Sequence, residues 1–141
     1  LYIFGKTLPP NLQIIVDSLD YVFYSPRVSQ DQIAIEYMKS DIWLYPTNFL
    51  ETFCITALEA QLARCLCICT DKGSLSEIVG SRGIIIKDNP EKLETHKNII
   101  NKIKFIQSNP IIKNNLLDKG ETWAKQYTIE NLAKDWIKKY L

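Results

Sequence analysis

Short apolar runs alternate with amphipathic stretches along the first 88 residues of the chain. The apolar runs are continuous rather than alternating in polarity, which is typical of parallel strands covered on both faces. The predicted strands are Leu1–Phe4, Tyr21–Tyr24, Ile42–Tyr45, Leu66–Thr70 and Gly83–Ile86. The predicted helices between them are Pro10–Ser18, Gln30–Lys39, Phe53–Ala63 and Ser74–Val79. This order predicts an α/β fold with a parallel sheet, right-handed crossovers and helices on both faces.

The pattern becomes wholly helical from Asn89 onward. A first helix is expected to end at Ser108–Pro110, and a second to reach about Tyr127 with a weak point at Gly120. Thr128 is placed as the N-cap of a last helix. The apolar positions of that helix recur at helical spacing and are Ile129, Leu132, Ala133, Trp136, Ile137 and Tyr140. Such a stripe requires a surface to pack on, which is either the sheet of this domain, or another domain, or both along its length.

The length and composition fit one domain, residues 1–141, with an α/β core over 1–88 and a helical tail over 89–141. Net charge is +1, from 17 basic and 16 acidic residues, which argues against a nucleic-acid partner. No apolar run approaches the roughly 18–20 residues of a transmembrane helix, and no signal peptide is visible. Because the chain starts with an apparent core strand, we expect it to be a fragment that opens inside the fold.

The pattern of the four cysteines predicts buried side chains rather than catalytic or metal-binding ones. Cys65, Cys67 and Cys69 alternate along one strand and share a face. No histidine is near them and no Cys-x2-Cys spacing occurs, so no metal site is expected. Cys54 lies at a predicted helix start, where a thiol pKa can fall, but a nucleophile needs a base and the chain has only His96. Reduced, buried cysteines suggest a reducing compartment, and therefore a cytoplasmic location.

Two glutamates, Glu51 and Glu59, flank a predicted strand-to-helix turn. The strand Ile42–Tyr45 ends at Pro46, a short loop carries Glu51, and Glu59 lies about two turns into the helix. Ligands of open α/β sheets bind at the carboxyl ends of strands, beside helix N-termini. Two carboxylates there can accept hydrogen bonds from the hydroxyls of a sugar or a ribose. The alternative is that both are surface acids, with Glu51 merely favouring the helix dipole.

The helix from Phe53 has a predicted buried face and a predicted cleft face. The expected buried stripe comprises Ile55, Leu58 and Leu62. The other face comprises Thr56, Glu59 and Ala63. Backbone amides of the first turn lack partners within a helix and carry partial positive charge, which suits a diphosphate. The amides expected to bind it are those of Phe53, Cys54, Ile55 and Thr56.

Four features follow one another between Asp41 and Ile86. They are Pro46-Thr47, Glu51-x7-Glu59, the strand Leu66–Thr70 with the turn Asp71-Lys-Gly73-Ser74, and Glu77-Ile78-Val79. In this order the stretch resembles the nucleotide-sugar-binding domain of GT-B glycosyltransferases, the retaining family-4 (group 1) type. That family has Glu-x7-Glu after a Pro-Ser or Pro-Thr strand end, then a strand, an Asp-x-Gly-Gly turn and a Glu-Ile-Val helix. The resemblance implies the C-terminal half of a GT-B fold, a Rossmann-like core lacking its first strand.

The resemblance also implies roles for individual residues. Glu51 would hold the catalytic position and bind hydroxyls of the donor sugar, and Glu59 would bind the ribose. The residues expected against the sugar and phosphates are Thr52, Phe53, Cys54, Ile55 and Thr56. Backbone groups of Val28 would meet the base, while Arg27 would approach phosphate or remain solvated. Transfer to an unidentified acceptor would be of the hexosyl type and retain configuration, without a metal or a cofactor beyond the nucleotide-diphosphate sugar.

The chain departs from the family at several positions. Thr52 and Cys54 replace glycines, so their side chains narrow the pocket and bear on which sugar fits. Ser74 replaces a further glycine, and we expect it to cap the next helix in a capping box with Glu77. The family's basic Arg and Lys pair and its acceptor-binding N-terminal domain would precede Leu1. The chain alone is therefore expected to bind weakly and not to catalyse. For the full-length protein, the resemblance allows peripheral membrane association.

Two other functions are compatible with an α/β fold. A non-catalytic GT-B-like scaffold or interaction domain gains weight from the replaced glycines. A flavodoxin-like or receiver-type domain is disfavoured. Receivers need an acidic cluster near the first strands and a lysine late in the sheet, and no such set is present.

Overall fold

The computed structural model describes residues 1–140 and has the expected α/β architecture. Its strands are β1 (Tyr2–Gly5), β2 (Phe23–Pro26), β3 (Ile42–Tyr45), β4 (Leu66–Thr70) and β5 (Ile84–Ile86). Its helices are α1 (Pro10–Asp17), α2 (Gln30–Lys39), α3 (Ile55–Leu62), α4 (Leu75–Ile78), α5 (Leu93–Gln107), α6 (Pro110–Ala124) and α7 (Ile129–Tyr140). Short 3-10 helices occur at Gly80–Arg82 and Lys125–Tyr127. Every paired strand is parallel, as predicted.

The first compact unit, Leu1–Ile35, contains a two-stranded sheet. β1 and β2 pair from Tyr2 with Phe23 to Gly5 with Pro26, and the rings of the first pair stack at 5.0 Å. β2 begins two residues later than predicted, because a turn closed by the Val22 amide and the Leu19 carbonyl precedes it. The crossover helix α1 starts at Pro10, whose fixed φ suits the first helical position.

The second unit begins at Glu36 and contains the parallel sheet β3–β4–β5, with β4 in the centre. All five residues of β4 are buried, as its continuous apolar run predicts. The Cys67 thiol lies 3.6 Å from the Ala57 carbonyl oxygen, so the cysteine face of β4 packs against α3. Leu66 and Ile68 point to the other face. They pack in two clusters with Ile86 of β5, Ile99 and Ile106 of α5, and Leu117 of α6.

The buried face of α3 differs from the predicted stripe. Ile55 and Leu62 are 58% and 42% exposed and Leu58 is half-buried. The buried residues are Cys54, Ala57, Ala60 and Gln61. Small side chains occupy most of the buried face because they let α3 lie close to β4 and α6. The stripe prediction was wrong because hydrophobicity alone ranks Ile and Leu above Ala.

Gly120 marks the close approach of α6 to α3. A Cβ at Gly120 would lie 3.3 Å from Cγ of Gln61, so only a glycine fits without displacement. α6 continues through this residue, and the predicted weak point is absent. The buried Gln61 amide donates to the carbonyls of Ala57 and Ile78 and thereby ties α3 to the end of α4.

The C-terminal helix α7 is capped as predicted, but none of its residues is buried. The Thr128 hydroxyl accepts a hydrogen bond from the Asn131 amide at 3.3 Å, which is N-cap geometry. Its large apolar side chains are 43% to 83% exposed, so the helix does not cover the sheet of its own domain. Within residues 1–140, no helix combines the length and the apolarity required to cross a bilayer.

Candidate functional site

The loop after β3 is anchored at the carboxyl edge of the sheet by Thr70. Thr70 is the last residue of β4 and is fully buried. Its hydroxyl accepts a hydrogen bond from the Thr47 amide at 2.9 Å and donates one to the Thr47 carbonyl. The Thr47 hydroxyl in turn accepts from the Phe49 amide at 3.0 Å. The start of the loop that carries Glu51 is therefore fixed to the neighbouring strand.

The backbone of Glu51 is held by the turn after β4. Glu51 forms an isolated parallel bridge with Gly73, and the Ser74 amide donates to the Glu51 carbonyl at 2.8 Å. Gly73 has φ +57°, and a Cβ there would collide with the Glu51 carbonyl oxygen and lie 2.7 Å from its nitrogen. A glycine is needed at this position for both reasons. The Asp71–Ser74 turn thus positions Glu51 through the main chain.

The side chain of Glu51 has one oxygen engaged and one free. The Tyr45 hydroxyl donates to Oε1 at 2.8 Å. Burial, and then this hydrogen bond to a carboxylate, raise the pKa of the Tyr45 phenol, so Tyr45 is a protonated donor at neutral pH. Among residues 1–140, Oε2 has no hydrogen-bond or ion-pair partner. A half-buried carboxylate with a free oxygen can accept a ligand hydroxyl.

Glu59 is half-buried on α3 and also lacks a partner in the described part of the chain. Burial disfavours its charged form and raises the pKa of its carboxyl group. Its charge also acts on Tyr37 of α2, whose pKa is raised to about 12, first by burial and then by Glu59. A simple exposed helix acid would show neither effect. Glu59 is therefore a partly desolvated carboxyl group that a hydrogen-bond donor from a ligand would stabilise.

The N-terminus of α3 lies between the two glutamates along the chain. Cys54 is the N-cap residue, and its carbonyl accepts from the amides of Ala57 and Leu58. The helix starts two residues later than predicted because the Ile55 amide bonds to the Phe53 carbonyl instead. Of the amides expected to bind a diphosphate, that of Ile55 is thus engaged within the loop. The other three, which have no partner within residues 1–140, are those of Phe53, Cys54 and Thr56.

The side chains of this turn divide into one buried and four exposed. Cys54 is only 4% exposed, and its sulfur lies 3.3 Å from the Thr56 hydroxyl. The exposed ones are Thr52, Phe53, Ile55 and Thr56. Cys54 therefore fills space inside the turn, whereas Thr52 extends from its surface.

Arg27 and Val28 lie in the first unit, immediately after β2. Arg27 is exposed and Val28 is half-buried. They follow the carboxyl end of a parallel strand, which is the position the sequence assigned to them. Their role at the base of a nucleotide stays a prediction.

The predicted cap by Ser74 is wrong. α4 has no side-chain cap, and the Ser74 hydroxyl is buried without a hydrogen-bond partner in the described residues. Ser74 has helical backbone angles, φ −72° and ψ −7°, rather than the extended ones that aim an N-cap side chain at the following amides. A different pair occupies the turn, in which the Ser76 hydroxyl donates to the Asp71 carboxylate.

The strand cysteines are buried free thiols, as predicted. Burial raises the pKa of Cys65 and Cys69 to about 12 and that of Cys67 well above its usual value. Such thiols stay protonated and are poor nucleophiles. Across residues 1–140, no group of three or more His, Cys, Asp or Glu side chains is arranged to hold a metal ion.

Sequence reasoning did not single out Tyr45 or Thr70. Both are the last residues of parallel strands, where side chains reach the ligand-binding edge of a sheet. The polar group at the end of each strand could have indicated this. Both residues, however, belong to apolar runs that were predicted to lie in the core.

Comparison with known families gives one match. The model for "Glycosyl transferases group 1" matches residues 15–123, which is more than half of the chain and includes both glutamates and the Asp71–Ser74 turn. No curated protein matches the chain.

Proposed function

Because the chain belongs to the group 1 glycosyl transferases, we propose that it binds the nucleotide-diphosphate sugar donor of a retaining transfer. Membership in the family implies a sugar donor and an acceptor. In the proposed complex, Glu51 accepts hydrogen bonds from the sugar and Glu59 from the ribose. The diphosphate lies at the N-terminus of α3, between them.

One observation carries this proposal. Glu51 and Glu59 are both half-buried, and each has an oxygen without a partner within residues 1–140. Acceptor-only groups that are partly removed from water are stabilised when a ligand supplies hydroxyl donors. A sugar and a ribose are rich in such donors, and neither repels a carboxylate as an anionic group would.

The α3 N-terminus supports the phosphate part of the proposal. Free amides and the helix dipole together favour an anion there. In the proposed mechanism they stabilise the charge of the departing diphosphate, which is the main contribution to catalysis. The family resemblance implies a basic pair at the diphosphate and a hexosyl transfer that needs no metal. Glu51 takes the catalytic position at the sugar.

Specificity would come from the residues around these groups. We propose that Val28 meets the base through its backbone and that Arg27 approaches the phosphates. Thr52, at the surface of the turn, would limit which sugar fits, and Cys54 would stiffen the turn from inside. An acceptor would bind to a further domain, as the GT-B resemblance implies.

The proposal is tested by titrating isotope-labelled protein with UDP, GDP, ADP and their glucose or mannose conjugates, following backbone amide shifts. We expect shifts centred on residues 51–59 and 27–28 with one nucleotide, at concentrations up to the millimolar range. Glu59→Ala should weaken this binding by about tenfold or more, since a hydrogen bond to a charged group is lost. Glu77→Ala, which removes an exposed acid from α4, is the matched control.

Two results would contradict the proposal. One is the absence of any shift with all of these compounds. The other is an equal loss in Glu59→Ala and Glu77→Ala, which would mean that binding follows net charge rather than the site. A folded domain that binds no donor would favour the alternative of a non-catalytic scaffold.

A further inference from the structure

Tyr45 places a hydrogen-bond donor at Glu51 from a rigid element. It is the last residue of β3, and its hydroxyl lies 2.8 Å from Oε1 of Glu51. Its ring packs against Trp43, two residues earlier on the same face, with centroids 5.1 Å apart. The strand and the tilted ring contact together restrict the position of the Tyr45 hydroxyl.

Glu51 has little else to orient its side chain. The bridge to Gly73 and the Ser74 amide hold its backbone, but they do not restrict its side-chain torsions. The chain neighbours Leu50 and Thr52 are exposed and provide no enclosing wall. Among the described residues, Tyr45 is the one hydrogen-bond partner of this carboxylate. Without it, a glutamate side chain would sample several rotamers and have to be ordered on binding.

The hydrogen bond from Tyr45 also makes the two carboxylate oxygens of Glu51 unequal. A neutral phenol donating to a carboxylate makes a charge-assisted hydrogen bond, which is shorter and stronger than one between neutral groups. Oε1 is thereby engaged, and Oε2 remains for a ligand. The donor is buried enough to stay protonated, and it adds no charge of its own near the diphosphate position.

We propose that Tyr45 is a positioning residue of the donor site, which holds Glu51 so that Oε2 meets a hydroxyl of the donor sugar. This inference rests on the proposed function, because it assigns the sugar to Glu51. Tyr45 itself does not touch the reacting atoms. Its effect is on the sugar part of the donor and not on the nucleotide.

A ligand-free measurement tests whether the bond exists. The pKa of Tyr45 is followed by NMR of ¹³Cζ-labelled tyrosine, with Tyr45→Phe to assign its signal among the seven tyrosines. In Glu51→Ala, the phenol pKa should fall, because the acceptor and its charge are gone while the contribution of burial remains. An unchanged phenol pKa would overturn the inference without bearing on donor binding.

The second arm separates positioning from a structural role. The affinities of Tyr45→Phe are measured for the nucleoside diphosphate and the sugar conjugate identified among UDP, GDP and ADP compounds. We expect roughly a three- to tenfold loss for the conjugate, as for one hydrogen bond, and no change for the free diphosphate. Tyr140→Phe, at an exposed phenol of α7, should change neither affinity.

Each other outcome is decisive. Equal losses for the conjugate and the diphosphate would mean that Tyr45 only stabilises the loop, and no loss for either would mean that Glu51 needs no positioning. If neither compound binds the unmodified protein, the proposed function fails and this inference fails with it. The ligand-free titration then still reports whether the bond forms.

Discussion

At the residue scale, the two glutamates depend on neighbours that have no part in the proposed ligand contacts. Thr70 and Gly73 fix the backbone around Glu51, and Tyr45 holds its carboxylate. Glu59 is placed by α3 alone and remains unpaired within residues 1–140. The backbone and the carboxylate of Glu51 are thus both held by neighbouring residues. The pKa of Glu59, by contrast, is shifted by burial.

Gly73→Ala should destabilise the protein and displace Glu51. A Cβ would meet the Glu51 backbone, and the positive φ is unfavourable for alanine, so a loss of about 2 kcal/mol or more is expected. Urea unfolding measures this change. Gly5→Ala is the control, because a Cβ at Gly5 meets nothing within 4 Å. Equal stability of the two variants would show that Gly73 does not hold the loop.

Glu59 should make stability depend on pH in a defined direction. Its folded pKa is raised, so the folded state binds a proton that the unfolded state releases, and stability falls as pH rises through the interval between the two pKa values. Glu59→Gln removes this dependence. Relative to the unmodified protein, the variant should gain more stability at pH 7 than at pH 4, as measured by urea unfolding.

The same substitution should weaken donor binding, so stability and binding would change in opposite directions. Glu77→Gln, at an exposed position, serves as the control for general charge effects. A stability difference between Glu59→Gln and the unmodified protein that is the same at both pH values would refute the assigned cause.

At the element scale, α3 is the connection between the site and the core. Its buried face consists of small residues against β4 and α6, and its N-terminus and Glu59 belong to the candidate site. Gln61 ties the helix to Ile78 at the end of α4. Substitutions at the α3–α6 contact should therefore alter the candidate site although the substituted residues do not contact it.

Gly120→Leu should overpack this contact. A side chain there would press on Gln61, whose Cγ lies 3.3 Å from the position of a Cβ, and a loss of about 1–3 kcal/mol is expected. Thermal or urea unfolding measures the loss. Lys119→Leu, one residue earlier on the exposed side of α6, is the control and should change stability little. If the two variants are equally stable, the helices do not pack as described.

The elements show why the sequence predicted the fold better than the packing. β3 and β4 have the predicted bounds because continuous apolar runs define them and Pro46 ends β3. The face of α3 could not be predicted, since the choice of Ala57 and Ala60 over Ile55 depends on how closely α6 approaches. The Ser74 cap failed for a similar reason, because the residue takes helical backbone angles that its sequence does not reveal.

At the scale of the molecule, the chain belongs to the group 1 glycosyl transferases and presents parallel sheets in two compact units. The positions of Glu51 and Glu59 were predicted from their spacing and from the resemblance. The main-chain bridge to Gly73 and the hydrogen bond from Tyr45 could not be predicted, because both join residues that only the fold brings together.

The central claim is that the two glutamates bind the two hydroxyl-bearing parts of one donor. The most direct measurement is a crystal structure of the protein with the nucleotide sugar identified by titration. We predict that a Glu59 oxygen lies within hydrogen-bond distance of the ribose hydroxyls and Oε2 of Glu51 within that distance of a sugar hydroxyl, roughly 2.5–3.0 Å in each case. A donor bound with both carboxylates facing solvent, or bound away from the α3 N-terminus, would contradict the account.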